Sequence, residues 1–202
     1  MAIALTIENV LHLFSFISPF LLAFFLFMTS LFNQNLKGLV YLSGVLMSTI
    51  FNVFLMNQIQ SPTYDDAAFS CNMFDIPFVS QYNSPSSSSL FIAFTIAYLV
   101  IPMSVNNQLN YPVIASLLCL LSLDVFTKII NRCTNYAGAI LGALIGFFLG
   151  TIWYTLFHIT GYDSLLYFDE LRSDKVMCSK PTKQTFKCSV YRNGELITSN
   201  IA

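Results

Sequence analysis

Charge is what this sequence has least of. Lys, Arg, Asp and Glu make up 9% of its 202 residues, against about 25% in an ordinary soluble domain, so the polar cover that such a domain needs is missing. Basic residues are few: nine Lys and Arg leave a net charge of −1. No basic stripe or base-stacking motif occurs, which argues against a nucleic-acid partner. Histidine is almost absent, with His12 and His158 alone. Two distant histidines and cysteines without paired short spacings make no metal site, and nothing calls for a cofactor. The N-terminus has no basic region of the kind that precedes a cleaved signal segment, so the first apolar run reads as a retained span.

What is present is apolar: 55% hydrophobic residues and a mean hydropathy of +0.67. A helix needs roughly 20 mostly apolar residues to cross the hydrocarbon of a bilayer. Residues 13–32, 38–59, 90–105, 111–130 and 137–160 meet or approach that requirement, the third being the shortest. The expected fold is an all-α membrane protein. Residues 1–162 form a compact bundle of about five transmembrane helices, and residues 163–202 form a soluble tail. In the tail, residues 185–190 alternate polar and apolar side chains, Asn193-Gly194 is a tight-turn signal and Glu195 begins a return strand, which predicts a small β-hairpin. That hairpin either folds back as a cap or offers its edge to a protein partner.

Five crossings place the termini on opposite sides. Face one holds the N-terminus, the loop 60–89 and the turn 131–136; face two holds residues 33–37, 106–110 and the tail. The loop carries Asp65, Asp66 and Asp75 but no Lys or Arg, whereas Arg172 and Lys175 lie close to the last span. The positive-inside rule then puts the tail in the cytoplasm and the long loop outside or in a lumen, with Lys128 and Arg132 on face one weighing the other way. Cys71 and Cys133 share face one, where a disulfide is open to them. Cys178 and Cys188 share face two, and Cys119 is mid-span, expected to pack.

Three features lie within the apolar part. Gly138, Gly142, Gly146 and Gly150 recur every fourth residue, a stripe on which another helix backbone can approach closely. The partner helix is expected in the same chain, with a second copy as the alternative. Asp124 and Lys128 are spaced i, i+4 near the face-one end of the fourth span. They read either as a self-neutralised pair or, with Arg132, as a site for an anionic lipid headgroup. Finally, the serines of residues 84–89 precede the third span, where they can cap free helix amides or help hold a phosphate.

The order of these pieces resembles the type 2 phosphatidic acid phosphatase superfamily, the integral-membrane lipid phosphatases related to haloperoxidases. In that family a lysine followed by Arg-Pro closes one helix, Pro-Ser-Gly/Ser-His-Ser opens the next, and a third motif with Ser-Arg, His and Asp runs into a glycine-rich helix. Here the second motif corresponds to Pro85, Ser86, Ser87, Ser88 and Ser89, with Ser88 in place of the acid histidine. The third corresponds to Thr127 and Lys128, with Thr134 for the attacking histidine and Gly138 for its orienting aspartate. Of the first, Pro62 holds its place and Ser61 stands for arginine. The similarity spans residues 40–154.

The resemblance implies motifs converging on one membrane face, and Pro62, Pro85 and residues 127–138 all fall on face one. It also implies phosphoryl transfer through a histidine nucleophile within a cationic cradle, and those groups are gone. His158 is twenty residues beyond Gly138 on the same span, roughly 30 Å away, and His12 lies on face one but outside every motif. The expectation is therefore a non-enzyme with no catalytic residues: a lipid-phosphatase-like membrane protein with a structural or scaffold role. Its alternatives are a binder of anionic phospholipid or polyprenyl phosphate, a residual phosphatase, and an unrelated structural protein of an enveloped particle or organelle membrane. Its partners would be membrane lipids.

Overall fold

Apolar run length dictates the architecture. The computed structural model describes residues 7–64, 71, 82–167, 188–192 and 195–200, and within them five helices are long and apolar enough to cross a membrane. These are α1 (Ile7–Phe32), α2 (Lys37–Ile59), α3 (Ser87–Val105), α4 (Tyr111–Ile130) and α5 (Tyr136–Ile159). The helix boundaries follow local chemistry. Asn110 caps α4 by accepting from the Val113 amide at 3.5 Å, with Pro112 in its first turn; Asn135 caps α5 by accepting from the Gly138 amide at 2.5 Å. Such side chains satisfy amides that a helix start leaves without partners. Left-handed residues lie at or just past the ends of α1 to α4: Gln34, Gln60, Asn107 and Arg132. Reversing the chain there lets the last carbonyls be used, as in the Gln60 N–H bond to Met56 O.

α3 begins three residues earlier than the apolar pattern predicts, because the serines join its first turn. It is also the centre of the bundle. Residues 92–99 are all buried, since α3 touches each of the other four helices. A helix surrounded on every side needs no polar face, which is why its sequence shows none. Tyr41 of α2 packs at a tilt against Phe94 and Tyr98 of α3 and shares a 2.7 Å hydrogen bond with Thr95. Outward, by contrast, the bundle presents Leu13, Phe20, Phe24 and Phe25 of α1, Leu118 and Phe126 of α4, and Leu144 and Phe148 of α5. Cys119 is exposed on α4 rather than packed, a correction to its expected role.

The glycine stripe of α5 meets α3 of the same chain. A Cβ at Gly142 would lie 2.5 Å from the Ser86 carbonyl oxygen, one at Gly150 2.6 Å from that of Phe94, and one at Gly146 would strike the Leu90 carbonyl. The two backbones approach so closely that only hydrogen fits between them.

After α5, a single turn of 3-10 helix (Asp163–Leu165) folds back. Leu166 and Tyr167 are buried, and the Tyr167 hydroxyl donates to Leu26 O of α1. Residues 163–167, grouped with the tail by composition, thus pack onto the helical body. Further on, β1 (Cys188–Arg192) pairs antiparallel with β2 (Glu195–Asn200). Cys178, residues 185–187 and the Asn193-Gly194 turn fall outside the described residues.

Candidate functional site

The loop 60–86 and the turn 131–135 emerge at the same end of the bundle, and the structure joins them through a Cys71–Cys133 disulfide. At this end the lead-in to α3 is held by its backbone. The Asn83 N–H donates to Ser61 O at 3.1 Å, Thr134 Oγ1 donates to Asn83 O at 3.0 Å, and the Ser86 N–H donates to Gly138 O at 3.0 Å. The three segments that carry the motif-like positions are therefore bonded to one another.

The serines do not cap α3. Ser86 occupies the cap position with extended backbone, yet its side chain makes no capping bond. Ser87 Oγ accepts from Asn52 Nδ2 at 2.9 Å. Ser88 Oγ donates to Asp124 Oδ2 at 2.7 Å and accepts from Lys128 Nζ. Ser89 Oγ lies 3.3 Å from the same carboxylate oxygen and 3.1 Å from Ser86 Oγ, while Ser15 Oγ of α1 reaches Asp124 Oδ1 at 3.5 Å. The physical reason is competition. A fully buried carboxylate offers hydroxyls a charge-assisted bond, which is stronger than a bond to a neutral amide.

Asp124 has no exposed side-chain surface, and Lys128 retains 24%. Their closest approach is 4.0 Å, so the carboxylate is held more by hydroxyls than by the ammonium. Lys128 bridges from solvent to the cluster through Ser88. The net charge of this group is zero, and Ser15 of α1, Ser88 and Ser89 of α3 and Asp124 of α4 tie three helices together. Asn52, completely buried in α2, adds a fourth through Ser87 and a 3.4 Å bond to Pro85 O.

The other motif positions differ in what they reach. Thr127 turns back to donate to Leu123 O in its own helix. Pro62 and Arg132 are exposed at the same end. At Gly138 an added Cβ would lie 2.7 Å from Thr134 Oγ1 and 2.8 Å from Asn135 Oδ1, so the place of an orienting carboxylate is already filled. His158 lies at the far end of α5, where Nδ1 is 2.7 Å from Asp163 Oδ1. No group of three potential metal ligands occurs among the described residues.

Sequence reasoning missed Ser15 and undervalued Asn52. Both are polar residues inside apolar runs, which is a usable signal, but neither lies near Asp124 in the chain. Chemically, the arrangement offers hydroxyl donors already committed to a carboxylate, one cation already engaged and, among the described side chains, no imidazole to attack or protonate. Comparison with protein-family models, with curated proteins and with solved structures finds no match for this chain.

Proposed function

We propose that this chain is a catalytically inactive, lipid-phosphatase-like integral membrane protein whose role is structural or that of a scaffold. One observation carries the proposal: the motif-like positions gather at one end of the bundle, yet the groups found there hold one another. Ser88 is bonded to Lys128 and Asp124, Thr134 to Asn83, and the space beside Gly138 is filled. A phosphatase of this family needs an attacking histidine, a protonating acid and an open cationic cradle at those places. In this reading the former phosphate site serves as a polar clamp on the helices.

The disulfide supports an orientation in which face one lies outside or in a lumen, because such bonds persist in oxidising compartments. Arg172 and Lys175, close to the last span, support a cytoplasmic tail.

A second reading, a binder of anionic lipid, draws on exposed Arg132 and part-exposed Lys128. It requires Lys128 to exchange Ser88 and Asp124 for a phosphate. The two readings separate in a binding experiment on the full chain in nanodiscs, with phosphatidate titrated against a neutral lipid. A clamp gives no preference for phosphatidate, in the native chain or with Lys128→Ala plus Arg132→Ala. A preference that the double substitution abolishes would favour the binder.

A further inference from the structure

A concave site lies at the end of the bundle away from the serines. A cavity of about 230 Å³ opens between the last turns of α3 and α5 and the 3-10 turn. Its polar lining is Asn106, His158, Asp163 and Ser164, with Tyr154 beneath. Each of these four side chains has an atom that can accept a hydrogen bond. Two helices end at the cavity, and the carbonyls of a last helical turn carry partial negative charge. His158 Nδ1 lies 2.7 Å from Asp163 Oδ1; a neutral ring that donates from Nδ1 keeps Nε2 as an acceptor. Asn106 Nδ2 donates to Pro102 O at 2.8 Å, which leaves Oδ1 as the acceptor of that amide. The His158 ring stacks on Tyr154 at 5.5 Å, which fixes its plane. No Lys or Arg lines the cavity among the described residues.

We infer that this cavity binds a primary ammonium group, of the kind carried by an ethanolamine head group. The Asp163 carboxylate supplies the charge, while His158 Nε2, the Ser164 hydroxyl and Asn106 Oδ1 are acceptors for its three N–H bonds. A quaternary ammonium has no N–H to give them and is the poorer ligand. His158 and Asp163 are about half exposed, at 47% and 58%, so the site is wet and its affinity for a free amine is weak. Position compensates for this. The cavity sits where two apolar helices end, and a lipid anchored there presents its head group at high effective concentration. The ammonium can come from an aminophospholipid or from a small free amine. The inference is independent of any kinship with phosphatases.

The test uses the full chain in nanodiscs of phosphatidylcholine with and without phosphatidylethanolamine. Lipid retained after detergent exchange is measured by native mass spectrometry. The site predicts about threefold enrichment of phosphatidylethanolamine over its bulk share, falling to none in Asp163→Asn. Ser164→Asp adds a carboxylate at the lining and raises the enrichment. It gives an independent readout if Asp163→Asn does not fold. A second arm measures the thermal midpoint in ethanolamine hydrochloride and in tetramethylammonium chloride at equal ionic strength. A shift with ethanolamine alone assigns the site to free amines as well; lipid enrichment without that shift assigns it to the lipid. An ethanolamine-only shift without lipid enrichment assigns the site to a free amine; equal retention of both lipids together with equal midpoints in both salts overturns the inference.

Discussion

Asp124 has no exposed surface inside a bundle whose outer face is apolar, and an isolated carboxylate there would cost far more than folding can offset. Ser88 and Ser89, with Ser15 more distant, make its charge tolerable. Replacing Asp124 by Ala removes the acceptor for these hydroxyls and the counter-charge of Lys128. It should destabilise the protein by about 2–4 kcal/mol, seen as a lowered unfolding midpoint in detergent. Ser88→Ala loses one of these bonds and should cost about 1–2 kcal/mol. Lys128→Ala in the Ser88→Ala background should cost less than Lys128→Ala alone, because the two side chains share a bond. Only half of this cluster was legible in the sequence. The i, i+4 spacing of Asp124 and Lys128 marked a pair, and the serine run marked a helix start. The bond between Ser88 and Asp124 spans 36 positions, and no local pattern encodes which hydroxyl a buried carboxylate will claim. The capping expectation failed for that reason: it weighed only the nearest acceptors and donors.

At the scale of elements, the contact between α3 and α5 is the most constrained. The fourfold spacing of Gly138, Gly142, Gly146 and Gly150 revealed the face that packs, because helical periodicity is local. It left open what that face meets, which depends on how distant segments fold together. Gly146→Ala puts a methyl group into the Leu90 carbonyl and should cost about 1–3 kcal/mol. Leu144→Ala, two residues away and 64% exposed, should change stability by less than about 0.5 kcal/mol. Thermal unfolding of both variants side by side checks the contrast. α3 itself was the least legible helix in its limits. Buried all round, it has neither an amphipathic face nor charged flanks to mark its ends, and its first turn is built of serines that composition assigns to a loop.

Among the described residues, the helical body is an apolar-surfaced bundle with a polar cluster at one end and an acceptor-lined cavity at the other. Five helices were readable from hydropathy alone because each is a long apolar run that satisfies its own backbone. The closing of the serine-lined end was not readable, since it depends on space, such as the filled volume beside Gly138. The Cys71–Cys133 link closes a long stretch of chain across that end, and its loss in Cys133→Ser should lower stability by about 2–4 kcal/mol. In sealed vesicles, a membrane-impermeant reductant added on the face-one side should cleave the link, while the same reagent on the other side should leave it intact. The proposal of an inactive, clamped site is tested most directly by phosphate release from phosphatidate and from a polyprenyl diphosphate, using the full chain in nanodiscs. The native chain should release no more phosphate than Thr134→Ala or protein-free discs; release clearly above the Thr134→Ala level would contradict it.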